Sequence, residues 1–191
     1  MYLYKNNDEY IAAQLSKAKN LVEIHFRKQW IKGKTIKAIC NYLKEHIAKE
    51  DLKFGICHGV SHGYEVKKFE ELLKIKVIGT ELYPNKDPRI IEWDFHQTKP
   101  EWIKGVDFMY SNAFDHSPRP QKCLEAWMSC LSDNGICFIE WTDFDNRTCN
   151  IIDCFQASRE EYRDLMQKYL IEEIEFHDRR KTVLFVLKAN K

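Results

Sequence analysis

Apolar residues recur at intervals of three and four over residues 8–19 and again over 35–48, where Ile36, Ile39, Cys40, Leu43 and Ile47 form one stripe. This period predicts two opening helices. The period then changes: residues 52–57 read as a short strand, 64–73 as a helix with Val66, Phe69, Leu72 and Leu73 inward, and 76–82 as the next strand. A strand, a helix and a strand with short joints form a βαβ unit, whose parallel pairing and right-handed crossover are close to obligatory. The alternation continues, with 90–95 a weaker strand, 106–111 a better one, 121–131 a helix carrying Leu124, Trp127, Met128 and Leu131 on one side, and 135–141 a strand. Ser158-Arg159-Glu160-Glu161 has the spacing of a capping box and opens a helix to about residue 168. Residues 171–176 and 182–187 are strands whose connection is too short for a crossover helix, so they pair antiparallel. The expected fold is α/β, a doubly wound, mostly parallel seven-stranded sheet with a C-terminal antiparallel hairpin and an N-terminal helical extension.

Composition narrows this picture. The 191 residues are 44% apolar and 31% charged, which suits one soluble domain with a sizeable core. Residues 1–49 read as a helical extension or lid and 50–191 as a single globular unit. Thirty Lys and Arg stand against 29 Asp and Glu, so no global field recruits nucleic acid or an anionic membrane. Apolar runs such as 182–187 fall far short of the roughly 18 residues a membrane span needs. The N-terminus lacks a basic leader followed by an apolar block, and a cytoplasmic protein is expected. Seven cysteines without a Cys-x-x-Cys pair read as reduced, mostly buried thiols that hold no metal. Between Lys17 and Lys37 a basic run (Lys19, Arg27, Lys28, Lys32, Lys34) carries one acid, Glu23, with Phe26 and Trp30 interleaved. It reads either as a solvated helix face or as a hold for RNA or a phosphorylated acceptor.

The chain has only seven glycines, yet Gly55, Gly59 and Gly63 crowd the joint between the first strand and its helix. Glycine there permits positive φ and lets a ligand approach backbone amides and a helix N-terminus. In open α/β sheets this joint lies at the carboxyl ends of the strands, where ligands bind. Glu81 ends the second strand about 20 positions past the glycine turn, the place from which an acid accepts hydrogen bonds from both ribose hydroxyls of a nucleoside. A dinucleotide-dependent oxidoreductase shares this logic, but its fingerprint needs two close glycines under a pyrophosphate, and Gly55-x-x-x-Gly59-x-x-x-Gly63 does not supply them.

Residues 50 to 190 resemble the class I S-adenosylmethionine-dependent methyltransferases, which have a Rossmann-like fold, in a divergent glycine-loop variant. Phe54-Gly55-Ile56-Cys57-His58-Gly59 is similar to the family's first motif, and Val77-Ile78-Gly79-Thr80-Glu81 to the second, with its ribose-binding acid. Trp93-Asp94-Phe95 matches the third, where an acid meets the adenine amino group. Val106-Asp107-Phe108-Met109-Tyr110-Ser111-Asn112 resembles the fourth strand and the loop facing sulfonium and substrate. Ser132-Asp133-Asn134-Gly135-Ile136-Cys137-Phe138 resembles the turn into the fifth strand. The resemblance implies S-adenosylmethionine as methyl donor and S-adenosylhomocysteine as product, with Cys57, His58, Gly59, Gly63, Glu65, Glu81, Leu82, Asp94, Phe95, Ser111 and Asn112 lining the donor site.

Gly55 stands where the family usually has an acid, which leaves the donor's ammonium without its common partner. The loop His58-Gly59-Val60-Ser61-His62-Gly63-Tyr64-Glu65 is similar to a His-Gly…Asn-Gly-x-Glu form in which the Glu takes that contact. Glu65 is equally an ordinary first-turn acid facing a helix dipole.

A hydroxyl acceptor needs a base, and histidine suits that task near neutral pH. Asn112-Ala113-Phe114-Asp115-His116 follows the fourth strand, which makes His116 the candidate base and Asp115 its orienting or substrate-binding partner; the alternative is a turn cap before Ser117-Pro118. Glu140, Trp141 and Asp143 close the fifth strand and could shape the acceptor pocket or, with Asp94, Asp115 and His116, hold a divalent ion, although no spacing demands one. Ser111-Asn112-Ala113-Phe114 lacks the double proline of amino-group DNA methyltransferases, so nucleic acid is not expected as a partner. Tyr10, His25, Arg27 and Trp30 of the extension are candidates to line a lid. The expected function is methyl transfer to a small polar acceptor, in particular a sugar at oxygen; the rivals are a noncatalytic nucleoside-binding module and an RNA methyltransferase.

Overall fold

The computed structural model describes residues 4–24, 30–83, 86–143, 149–150, 153–177 and 180–189, with backbone alone for 17–24. Helices α1 (Asn7–Ile24) and α2 (Gly33–His46) lead into β1 (Phe54–His58), α3 (Tyr64–Leu73), β2 (Lys76–Glu81) and β3 (Ile90–Glu92). Then follow β4 (Val106–Ser111), α4 (Pro120–Cys130), β5 (Leu131–Thr142), α5 (Arg159–Met166), β6 (Leu170–His177) and β7 (Lys181–Leu187). The strands make one seven-stranded sheet in the order β3-β2-β1-β4-β5-β7-β6. Strands β1 to β5 are parallel, and β7 runs antiparallel to both β5 and β6. This is the doubly wound sheet with a terminal hairpin that the changing hydrophobic period implies.

Each face of the sheet carries its own core. On one face Ile56, Met109, Ile139 and Phe185 pack against Leu124, Trp127 and Met128 of α4 and Tyr162 and Met166 of α5. On the other, Cys57, Phe108, Tyr110, Phe138 and Leu184 meet Ile36, Ile39 and Leu43 of α2 and Val66 and Phe69 of α3. The α2 stripe is therefore buried against the sheet beside α3. Burial on both faces is what allows β1, β4 and β5 to read as near-continuous apolar runs.

Three sequence expectations shift. Leu72 is 44% exposed rather than inward: Val66, Phe69 and Leu73 share one stripe, and Leu72 lies about 100° around the helix from its neighbour. Strand β3 stops at Glu92: the Trp93 N–H makes one last bond to β2, at Glu81 O, and the chain then turns at Asp94, whose carboxylate accepts the His96 N–H. Strand β5 begins at Leu131 instead of Gly135, directly after α4, with a register shift opposite Val106–Phe108. All seven cysteines are free thiols, and all but Cys149 are buried. Among the described residues no helix is long and apolar enough to cross a membrane.

From β1 the chain moves to β2 and β3 on one side, then crosses back to β4 on the other. Such a reversal opens a crevice beyond the carboxyl ends of the strands.

Candidate active site

Loop 59–63 builds the near wall of that crevice. Gly59 and Gly63 have φ of 70° and 68°, a region costly for residues with a Cβ. At Gly59 a Cβ would also lie 2.5 Å from that of Ala113 in the loop after β4. Gly59 N–H donates to Thr80 O at 3.0 Å, which ties the loop to β2. Glu81, the last residue of β2, accepts the Ser61 N–H at 2.7 Å on one carboxylate oxygen and the Leu82 N–H at 3.1 Å on the other. The predicted ribose acid thus faces the glycine loop, half-buried, with Leu82 half-buried beside it.

Behind the loop, His58 and Cys57 point to opposite faces as neighbours on a strand must. Cys57 lies fully buried in the α2–α3 core, where desolvation raises its thiol pKa and the nearby Glu65 carboxylate adds to the shift. His58 stacks on Trp127 of α4, centroids 4.7 Å apart, and its Nδ1 sits 2.7 Å from Thr80 Oγ1. Burial depresses its pKa to about 3, with His96 contributing, so the ring is neutral. Its Nε2 is buried without a hydrogen-bond partner. Ser111 Oγ donates to His58 O and accepts the Ala113 N–H, fixing the start of the loop after β4; Asn112 is half-buried beside it.

Two buried acids lie on the α2–α3 side. Burial pushes the Glu65 carboxyl up to about 8, against a hydrogen bond from its own backbone, with Glu81 and Glu140 adding repulsion. Burial likewise raises Glu140 to about 7, opposed by the Tyr110 hydroxyl, which donates to it at 2.8 Å, and by Lys32 and Lys34. Glu81 and Glu140 thus both lie close enough to repel a charge on Glu65, a setting that favours a cationic ligand.

At the far end of the crevice, Asp94 accepts from the His96 ring at 2.6 Å and its backbone N–H at 3.0 Å, both on Oδ1. Burial opposes its charge, yet these bonds hold its carboxyl below the usual range. Oδ2 is buried and has no partner. Phe95 is buried, and its carbonyl accepts the Trp127 Nε1–H at 2.8 Å.

His116 ends a short turn, Phe114–His116, after β4. Its Nε2 is 3.3 Å from Asp153 Oδ1 and 3.8 Å from Asp115 Oδ1, and all three side chains are partly exposed. The loop is pinned from below, since Phe155 N–H donates to Asp115 O and Cys154 Sγ–H to His116 O. Asp115, His116 and Asp153 bring their ligand atoms within 4.8 Å of one another. The carboxylate the structure adds to His116 is therefore Asp153; Asp94 is engaged by His96 instead.

Sequence reasoning missed Asp153, His96 and Tyr110. Only the Asp94-x-His96 spacing held a local signal, since an Asx turn brings such a pair together. Of the predicted lid residues, Tyr10 is buried with its ring edge-on to His96, centroids 5.4 Å apart, while Trp30 is 54% exposed. His25, Arg27, Phe26 and Lys28, and the side chains of Lys17, Lys19 and Glu23, lie outside the described residues.

The sequence matches no protein-family model and no curated protein. Solved structures do match the fold. A 1,6-didemethyltoxoflavin-N1-methyltransferase of Burkholderia thailandensis, with bound 1,6-didemethyltoxoflavin and S-adenosylhomocysteine, is similar with a TM-score of 0.74 at 12% identity, over 98% of this chain and 92% of that one. A SAM-dependent methyltransferase from Aquifex aeolicus gives 0.55 at 14% identity, over 82% and 99%. The phosphoethanolamine N-methyltransferase 2 of Haemonchus contortus, in complex with S-adenosyl-L-methionine, gives 0.63 at 12% identity, over 83% of this chain and 53% of that one. This chain therefore has the fold of the class I S-adenosylmethionine-dependent methyltransferases, down to the reversed final strand.

Proposed function

We propose that the protein is an S-adenosylmethionine-dependent methyltransferase acting on a small polar acceptor at a hydroxyl oxygen, sugars among them. The observation that carries the reading is the spacing of three acids along the carboxyl edge of the sheet: Glu65 at the start of α3, Glu81 at the end of β2 and Asp94 after β3. One adenosyl amino acid presents an ammonium, a pair of ribose hydroxyls and a purine amino group, each a donor matched to one of these carboxylates. The bare Asp94 Oδ2 is the test of fit, since a buried acceptor without a donor is costly and a purine amino group supplies one.

In this reading Glu65, supported by Glu140, holds the ammonium, Glu81 the ribose and Asp94 the purine edge. Cys57, His58, Gly59 and Gly63 shape the floor and the turn, and Leu82, Phe95, Ser111 and Asn112 line the remaining wall. When bound, the donor supplies a methyl group already activated on a sulfonium, so the protein's task is alignment in a dry cleft. His116 takes the acceptor's proton on Nδ1, because the proton on Nε2 points at the Asp153 carboxylate, which can only accept. The Asp153 and Asp115 carboxylates flank Nε2 and favour the imidazolium that results.

Methyl-release assays over a panel of hydroxyl acceptors, sugars and simple amines test this. Turnover on a hydroxyl acceptor, slowed at least about a hundredfold in His116→Ala with donor affinity unchanged, is the expected result. Tight donor binding with no turnover on any acceptor favours a nucleoside-binding module instead.

A further inference from the structure

We propose that His96 is a positioning residue that makes the donor pocket select a 6-aminopurine; this deepens the donor reading above and rests on it. The ring is buried and held at both nitrogens, Nδ1 2.6 Å from Asp94 Oδ1 and Nε2 2.8 Å from Ser117 Oγ. An ionised carboxylate only accepts, so the proton on Nδ1 points at Asp94, while Nε2 is held by the Ser117 hydroxyl. Ser117 is itself buried, and its Oγ accepts the Arg119 N–H. Tyr10 of α1 packs edge-on against the ring and Phe95 lies tilted against it.

The consequence falls on Asp94. Both donors from residue 96, ring and backbone, converge on Oδ1, and Oδ2 stays bare in a buried setting. Without the His96 ring, Asp94 loses the hydrogen bond that offsets its burial, so its carboxyl is more readily protonated and Oδ2 can then donate as well as accept. With it, Asp94 stays an ionised acceptor whose buried Oδ2 has no hydrogen-bond partner in the protein. A 6-amino group satisfies this oxygen, whereas a 6-oxo group sets two acceptors against each other and leaves the buried Oδ2 unpaired, the circumstance in which polar sites discriminate most strongly. The selectivity is thus assigned to a side chain that never touches the donor.

Calorimetric titration with S-adenosylhomocysteine and its 6-oxo counterpart, S-inosylhomocysteine, tests this on the full chain. The wild type is expected to prefer the adenosyl ligand by at least about tenfold, the worth of one charge-assisted hydrogen bond. His96→Asn places an amide donor where Nδ1 stood and keeps most of that preference. His96→Gln reaches the Ser117 side instead and reduces the preference to within about threefold. His96→Ala behaves like His96→Gln. Equal preference in the Asn and Gln variants overturns the assignment, as does a drop in affinity for both ligands that leaves their ratio at the wild-type value. A wild type that binds neither ligand overturns the donor reading itself, a result distinct from either.

Discussion

Glu81 does two jobs with one carboxylate: it fastens the glycine loop through the Ser61 N–H and faces the crevice where the ribose of a donor would lie. Removing it costs the loop's tether and, in the proposed reading, a charge-assisted contact with the donor. Glu81→Ala is expected to weaken S-adenosylhomocysteine binding by about 1.5–3 kcal/mol, roughly ten- to hundredfold, measured by calorimetry; unchanged affinity would take Glu81 out of the site. Glu65 acts through its protonation. With its carboxyl held up to about 8, it is mostly neutral at pH 7, and an ammonium beside it favours the ionised form. Donor binding is expected to release protons and to tighten as pH rises from 6 to 8, seen as a buffer-dependent binding enthalpy; Glu65→Gln weakens that dependence and leaves the share that Glu140 carries. Gly55 explains the departure at the first motif. A Cβ there would lie 2.0 Å from the Phe108 ring, so the packing of β1 against β4 excludes an acid at this position. The carboxylate near the loop comes from α3 instead.

Helix α5 is short, and its start depends on its cap. The Ser158 side chain accepts the Glu161 N–H while the Glu161 carboxylate accepts the Ser158 N–H. Ser158→Ala is expected to destabilise the fold by about 1 kcal/mol and lower Tm by about 2–4 °C in thermal melts; an unchanged Tm would mean that packing of Tyr162 and Met166 alone holds the helix. That cap was legible because four adjacent residues encode it. So were the βαβ order, the hairpin and Glu81, each fixed by local period or by a short spacing. Residues whose roles depend on distant segments were not legible. Asp153 reaches His116 from beyond β5, and no period links them. Tyr110 reads as one more apolar strand residue until β5 places Glu140 beside it. Leu72 misled because a helix end tolerates an apolar side chain off the buried stripe. At the sheet's open edge, β6 carries Glu172, Glu173 and Glu175, charges that discourage pairing with another chain. Arg159 and Arg163 of α5 clamp Glu173 and hold this strand to its covering helix.

For the molecule as a whole, the buried groups of the crevice set how stability varies with pH. Burial lowers His58 from 6.5 to about 3, so the unfolded chain binds the extra proton, and this contribution is full above pH 6.5 and declines as pH falls toward 3. Glu65 and Glu140 are raised from 4.5 to about 8 and about 7, so the folded chain binds more protons, and their contribution is full below pH 4.5 and declines as pH rises to 8. From pH 6.5 to 8 only the second effect operates among these three. Denaturant melts of the ligand-free protein are expected to lose stability across that window, and Glu65→Gln to flatten the slope and exceed the wild type at pH 8. A wild-type slope of the opposite sign would show that Glu65 is ionised without a ligand. If Glu65 holds the donor's ammonium as proposed, stability and donor binding pull on the same carboxylate.

The central claim is that this crevice grips an adenosyl amino acid through carboxylates at three points, and a crystal structure of the protein with S-adenosylhomocysteine at saturating concentration tests it most directly. The expected density places the purine amino group within hydrogen-bond distance of Asp94 Oδ2, the ribose hydroxyls on Glu81 and the ammonium beside Glu65. A crevice that stays empty, or a ligand bound elsewhere on the chain, contradicts it.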